Sequence, residues 1–364
     1  MISTGQLAAA AKQAALVAGF DLAGIASVRE QDFPELSAFS DWIDAGHAGE
    51  MKYLEKRTEA GALRRAALAN AAPWAKSVIV CALNYNAGQP YSTKAHDPAK
   101  CWISRYAWSA TDYHDSLLQR LQQVEAAIKE FAGPHGLHPE TRCYVDTGPV
   151  VERVYAKYAG IGWIGKNTCI IHQKLGSWIF LGVVLTSLEL PPDVPAADRC
   201  GSCTRCIDAC PTQAILAPGK MDARRCIAYL TIEKRGEIPL EFREGIGHHV
   251  FGCDICQDVC PWNNKTGNAA PSAVPEFQPQ DKLVHPDLKW LAEMNEEEFR
   301  QTFRGSPVKR TKYSGLQRNV AVAMGNSGNR DFIPDLKKMA DDADPVIAGH
   351  ARWALDQLNA DDGE

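Results

Sequence analysis

Eight cysteines crowd one stretch of the chain: Cys200, Cys203, Cys206, Cys210, Cys226, Cys253, Cys256 and Cys260. The two densest runs read "CGSCTRCIDACP" (200–211) and "GCDICQDVCP" (252–261). A disulfide framework would need an oxidising compartment. The opening residues, "MISTGQLAAAAKQAALVAGF", carry no basic n-region and no apolar run of export-signal type. No stretch approaches the roughly 20 apolar residues of a membrane span. The expected setting is therefore the cytoplasm, where thiols stay reduced, and metal is the serious option. Zinc would be satisfied by paired C-x2-C hooks, and eight thiolates could hold two ions. The first run is tighter, C-x2-C-x2-C-x3-C-P, the spacing of a [4Fe–4S] cradle. Two-residue spacers let a turn wrap its backbone N–H groups around the sulfides. The proline after the last cysteine is expected to end that turn and start a short helix.

In the bacterial two-cluster run, which these cysteines resemble, three thiolates grip one cluster and the fourth crosses to the other. That rule assigns Cys200, Cys203, Cys206 and Cys260 to one [4Fe–4S] cluster, and Cys210, Cys226, Cys253 and Cys256 to the second. The second half departs from the pattern, because Cys226 lies 27 residues before Cys253. An insertion between ligands adds a loop and leaves the ligand count intact. The other four cysteines (Cys81, Cys101, Cys143 and Cys169) sit among apolar neighbours and read as small buried hydrophobes.

Two adjacent clusters make a wire, so the rest of the 364 residues must use the electrons. The best acid candidate lies in "YVDTGPVVERVYAKYAGIGWIGKNT" (144–168). A strand is expected to end at Asp146, with Pro149 as the first helical residue. Asp146 then has no capping duty. A carboxyl at a strand end walled by Tyr and Trp can be desolvated, and would hold a proton at neutral pH. Gly160, Gly162 and Gly165 resemble G-x-G-x-x-G but follow a helix. They read as close-approach or tight-turn glycines beside Lys166 and Asn167 rather than a dinucleotide fingerprint. Asp112-x-His114 looks like the start of the D-x-H-x-x-G element that offers histidine to cobalt, but Leu117 stands where its glycine belongs.

The elements that must position these groups alternate. Ser3 and Gln6 predict a capping box opening an amphipathic helix. "DSLLQRLQQVEAAIKEFAG" places Leu117, Leu118, Leu121, Val124, Ile128 and Phe131 at helical spacing. "KSVIVCALNY", "TRCYVDTG" and "SWIFLGVVLTSLEL" read as strands. The predicted organisation is an α+β domain over 1–195, the cluster module over 196–265, a polar, proline-rich connector over 266–310 and a helical tail over 311–364. The tail's three helical patterns, split by Gly-Asn and Asp-Pro, resemble a HEAT-like repeat. Net charge is −5, which excludes a global polyanion binder. Locally, Phe299–Arg330 holds no acidic residue and seven basic ones: Arg300, Arg304, Lys309, Arg310, Lys312, Arg318 and Arg330. Such a run is ordinarily a solvated face, but "RGSPVKRTKYSG" also suits a phosphate-contacting surface.

Together, "VDTGPVVERVYAKYAGIGWIGKNT", "SWIFLG", "CGSCTRCIDACPTQAI", "RCIAYLTIE" and "GCDICQDVCPWN" closely resemble epoxyqueuosine reductases over nearly the whole chain. The resemblance implies a nitroreductase-like cobalamin-binding domain, a ferredoxin-like module with two [4Fe–4S] clusters and the HEAT-like tail. It implies reduction of epoxyqueuosine to queuosine at the tRNA wobble position, with Asp146 as proton donor and no protein histidine beneath the cobalt. It further implies cobalamin contacts from Arg57, Ser104, Arg105, Tyr113, Asp146, Lys166, Asn167 and Ser177. The implied partners are the anticodon stem-loop of a tRNA with a GUN anticodon and a low-potential donor such as ferredoxin or flavodoxin, with the chain a monomer. A reductive dehalogenase would share the core but usually carries an export signal. A plain electron carrier would hold iron and sulfide without corrin.

Overall fold

The computed structural model describes residues 2–28, 33–88, 90–264 and 269–360. Its main sheet has four antiparallel strands in the order Leu22–Ser27, Ser77–Asn84, Ile179–Thr186, Thr141–Tyr144. Every residue of the second strand is buried, as a nearly continuous apolar run demands when both faces of a sheet are covered. Ile79, Cys81 and Leu83 face one core, Val78, Val80 and Ala82 the other.

The helices Thr4–Val17 and Tyr113–Ala132 cover the first face. The capping box of Ser3 and Gln6 is present. Leu117, Leu121, Val124 and Ile128 are buried as their spacing predicts, whereas Leu118 and Phe131 stand at the exposed edge of the stripe. The helix Glu152–Tyr158 covers the second face. It begins three residues later than Pro149 suggested, because the Asp146–Val151 loop stays irregular.

The cysteine-rich stretch is tied to this domain by a two-stranded parallel ladder of Trp102–Ile103 with His249–Phe251. The connector is not a loose loop. Asn84 Nδ2 donates to Ala270 O at 2.8 Å, Phe277 enters the first core and Gln280 N donates to Trp108 O at 2.8 Å. Residues 265–268 of that polar stretch lie outside the described residues.

The tail helices are Lys312–Asn326, Ile333–Ala340 and Pro345–Ala360, divided at the Gly-Asn and Asp-Pro pairs. The first is buried on all sides from Leu316 to Gly325, so its polar residues must find partners inside. Arg318 donates to the carbonyls of Leu230, Lys234 and Gly236, and Asn319 to those of Thr231 and Val250. Arg318 therefore belongs to the interior, not to the basic surface its sequence neighbours suggested.

Candidate functional site

Two hollows hold the chemistry-bearing residues. The smaller is lined by Cys200, Cys203, Cys206 and Cys260, with Lys166 and Trp262 beside them. Three cysteines of the first run thus meet the last cysteine of the second, the crossing that the spacing predicts. Local turns do the positioning: Cys203 N donates to Cys200 O, and the short helices Arg205–Asp208 and Ile255–Asp258 carry Cys206 and Cys256. Pro211, expected to start a short helix, leads instead into a turn and then a strand, whereas Pro261 of the second run does begin one. An apolar shell of Trp163, Ile171 and Trp262 encloses this cradle, and burial pushes the Cys260 thiol up to about 11.

The second quartet is also gathered. Burial raises the Cys226 thiol, with Cys210 adding to it, and Cys253 is raised by burial and by its neighbour Cys226. Ala214 N–H points at Cys210 Sγ at 3.3 Å, the sort of backbone donor a cluster thiolate accepts. Cys169 corrects the small-hydrophobe reading. It is half-buried, and its side chain is hydrogen-bonded to that of Cys256. Cys81 and Cys101 are fully buried, and half-buried Cys143 lies 3.7 Å from Glu125 Oε2.

The larger hollow is a cavity of about 880 Å³. Its walls come from separate stretches: Trp42 and Tyr53, Arg65, His114, the Asp146–Arg153 loop, Cys226 to Glu233, and Arg310 from the basic run. Cys226 thus stands both in the second cysteine quartet and on the cavity wall. Asp146 sits at φ +56°, a backbone state that non-glycine residues adopt at a cost of about 1–3 kcal/mol and that concentrates at functional sites. Gly148 lets this loop fold tightly onto Tyr144, whose ring would be 2.4 Å from an added Cβ. The expected desolvation of Asp146 is not found. Its side chain is 68% exposed, because the aromatic residues nearby do not close over it.

Three neighbours address the Asp146 carboxyl or its surroundings. Tyr113 OH donates to Oδ2 at 3.3 Å, and burial followed by the Asp146 charge keeps that phenol protonated. His114 Nε2 is 4.0 Å from the same oxygen, while its Nδ1 is 2.7 Å from Asp112 Oδ1. Asp112 caps the Tyr113–Ala132 helix and also meets Lys309 Nζ at 3.2 Å. Burial opposes its charge, but the hydrogen bonds from His114 and Lys309 outweigh that and hold its pKa below the usual carboxylate range. At the rim, Arg310 pairs with Glu233 at 2.5 Å and lies over the Tyr53 ring at 5.4 Å.

Of the eight residues that the resemblance placed at a corrin, Asp146 alone lines this cavity, with Tyr113 directly behind it. The others are spent elsewhere. Arg57 is half-exposed and bonds Gly61 O. Ser104 and the Arg105 backbone donate to buried Asp254, next to Cys253, and the Arg105 guanidinium is caged by Trp108 and Trp178. Lys166 Nζ donates to Gly201 O and Cys203 O, Asn167 Nδ2 to Cys256 O, and Ser177 is bound by Gln257 and Asn263. These five fasten the cluster turns to the first domain. Gly160, Gly162 and Gly165 serve a tight turn: an added Cβ on Gly162 would meet Ile171 O at 2.4 Å. Glu152, Tyr53, Glu233 and Arg310 were not singled out as cavity residues by the sequence. Glu152 alone offered a hint, as a second carboxyl within the most distinctive stretch.

Residues 199–263 match the 4Fe-4S double cluster binding domain, and residues 65–147 match the family described as Epoxyqueuosine reductase QueG, DUF1730. An epoxyqueuosine reductase of Xanthomonas campestris is 39% identical over 345 residues, covering 93% of each chain. The chain belongs to the epoxyqueuosine reductase family. Two solved family members agree in fold. A crystal structure of epoxyqueuosine reductase with an epoxyqueuosine-modified tRNA-Tyr stem loop superposes with a TM-score of 0.84 at 31% identity, over 98% of this chain and 91% of that one. A Bacillus subtilis epoxyqueuosine reductase, with its catalytic aspartate loop swung out of the active site, gives 0.83 at 30% identity and the same coverage. Among the described residues, no helix is long and apolar enough to cross a membrane.

Proposed function

We propose that this chain reduces epoxyqueuosine to queuosine at the wobble position of tRNA, with Asp146 delivering a proton to the departing oxygen. The observation that carries this reading is the match across 98% of the chain to a reductase bound to an epoxyqueuosine-modified stem loop. The double-cluster match supports two [4Fe–4S] clusters on the quartets described above. Cobalamin is the remaining cofactor of the reading. A cavity of about 880 Å³ lies near the top of the roughly 300–1,000 Å³ range of cofactor sites. Its lining mixes the aromatic faces of Trp42, Tyr53 and Tyr229 with the cations Arg64 and Arg65, which suits a large macrocycle that carries a phosphate. When bound there, cobalamin supplies the strong reductant and nucleophile that epoxide opening needs.

The chain's own residues do the rest. Cys226 would bring the second cluster to the cavity wall, whereas the first quartet does not line the cavity and would take electrons from a ferredoxin or flavodoxin. Tyr113 and His114 orient Asp146, and Asp112 fixes the His114 ring. Wobble-base chemistry requires taking the nucleoside out of the loop stack, so the grip falls on backbone phosphates away from the reacting atom. That grip would fall to Arg310, which lines the cavity, and to its exposed neighbours Lys309 and Lys312. In this reading the first domain is nitroreductase-like, the tail is HEAT-like, and the protein acts as a cytoplasmic monomer. The test is reconstitution with iron, sulfide, cobalamin and a strong reductant, followed by nucleoside analysis of epoxyqueuosine-containing tRNA. Queuosine formation is expected. Loaded, reduced protein that leaves epoxyqueuosine intact would overturn the proposal.

A further inference from the structure

Removing an epoxide oxygen as water consumes two electrons and two protons. Both carbon–oxygen bonds break, a carbon–carbon double bond forms, and the oxygen leaves carrying both protons. One carboxyl group holds only one. A site closed over a nucleoside excludes the water that would otherwise refill Asp146.

A second carboxyl lies on the same wall. Glu152 opens the helix Glu152–Tyr158, six residues after Asp146, and lines the same cavity. Its Oε1 is buried and has no hydrogen-bond partner among the described residues. A charged carboxylate left in that state is costly, whereas the neutral acid is not. The groups that act on it are few. Burial and then the Asp146 charge push its pKa up to about 7, against the pull of a backbone hydrogen bond and of Arg65 and Arg153. An acid in a helix's first turn ordinarily gains from being ionised. Here the surroundings act the other way. The two carboxyls thus differ in kind: Asp146 is open to a ligand, and Glu152 is half-buried with one oxygen shut away, able to store a proton at neutral pH.

We propose that Glu152 is the reserve acid of the site, holding the second proton of each turnover and passing it to Asp146 once Asp146 has given up the first. The proposal rests on the epoxide-reducing reading of the cavity. Electrons come from the clusters, both protons end on the departing oxygen, and Glu152 is left ionised until the cavity reopens.

Glu152→Gln keeps the shape and removes the proton, and Glu152→Asp restores an acid. One readout needs no cofactor. The infrared band of a protonated carboxyl should titrate near neutral pH in the wild-type apoprotein and be missing from Glu152→Gln. The second is single-turnover queuosine formation by loaded, pre-reduced enzyme across pH. The wild-type rate should fall as pH rises through about 7. Glu152→Gln should be slower at low pH by on the order of 10²-fold, without that inflection, and Glu152→Asp should regain it. A Glu152→Gln enzyme with the wild-type rate and pH profile would overturn the proposal and leave the functional reading standing. So would a uniformly slowed variant that keeps the inflection, since that marks a positioning role. Loaded wild-type protein that makes no queuosine would instead bring down the functional reading and the proposal together, whatever the infrared band shows.

Discussion

The cluster cradle and the cavity are neighbours built on opposite plans. The cradle is small: short turns such as Cys203 N to Cys200 O set three of its sulfurs, and Cys260 crosses from the second run to complete it. The cavity is wide and assembled from stretches as distant as Trp42 and Arg310, held in place by side-chain pairs such as Arg310–Glu233 and Lys309–Asp112. A locally specified site tolerates insertion between its parts, as the 27 residues from Cys226 to Cys253 show. A site assembled by tertiary packing tolerates none in the elements that carry its walls. Cys226, of the second quartet, also lines the cavity, so the cysteine region and the cavity meet at that side chain.

The largest effects should come from the two cysteine quartets. Cys200→Ala and Cys253→Ala each delete a ligand of a different cluster, and each variant should lose one cluster's iron and essentially all turnover. Iron and sulfide counts decide it. About eight irons per chain retained by either variant would break the ligand assignment.

On the cavity side the loss should be smaller and confined to chemistry. Asp146→Asn should bind cobalamin as the wild type does, while single-turnover product formation falls by about 10²–10⁴-fold, because an amide cannot deliver a proton. Unchanged turnover would move the acid elsewhere on the wall, with Tyr113 the nearest candidate.

How much of each plan was legible follows from the same contrast. The cysteines were readable because ligand spacing is a local property, and the crossing of Cys260 to the first trio came with it. Asp146 was singled out because "VDTGP" leaves it no structural duty; it lines the cavity, but without the desolvation that reading expected. Glu152 was hidden, since an acid opening a helix has an ordinary explanation and only tertiary burial cancels it. Arg310 and Lys309 stood in a basic run read as a solvated face or a phosphate-contacting surface, whereas their present partners are Glu233 and Asp112. Lys166 and Asn167 were read as corrin contacts, yet their donors meet the carbonyls of the cysteine turns. In each case the residue type was informative and the partner was set by packing.

The tail gives a test of packing with no chemistry in it. His350 is fully buried, accepts from Ile238 N through Nε2 at 3.0 Å and donates through Nδ1 to Val346 O. Burial, helped by Arg243 and Arg318 and opposed by the Val346 hydrogen bond, lowers its pKa to about 4. Between that value and the ordinary 6.5 the unfolded chain binds the extra proton. The ring's contribution is therefore complete above about pH 6.5 and is lost as pH falls, at up to about 1.4 kcal/mol per pH unit. Denaturation midpoints from pH 7 to pH 5 should show this slope. His350→Gln should flatten it by about one proton, and an unchanged slope would place the acid sensitivity in another group.

The smallest effect expected belongs to the rim, where the two plans meet the proposed tRNA. Lys312 is exposed and forms no ion pair among the described residues, whereas Lys309 and Arg310 already pair within the chain. Reversing Lys312 alone should weaken tRNA binding and reduce the slope of log affinity against log salt by roughly one unit or less, the signature of a single phosphate contact. Cobalamin content should not change. Arg310→Glu should do more than lose a contact, because it sets two acids face to face on the cavity wall and strips the cation from above Tyr53. It should therefore lower cobalamin occupancy as well as tRNA affinity. Affinities across a salt series, with corrin absorbance measured on the same preparations, separate the two variants. Equal slopes for Lys312→Glu and wild type would leave the basic run a solvated face. Full corrin occupancy in Arg310→Glu would mean that the tail borders the cavity without holding it in shape.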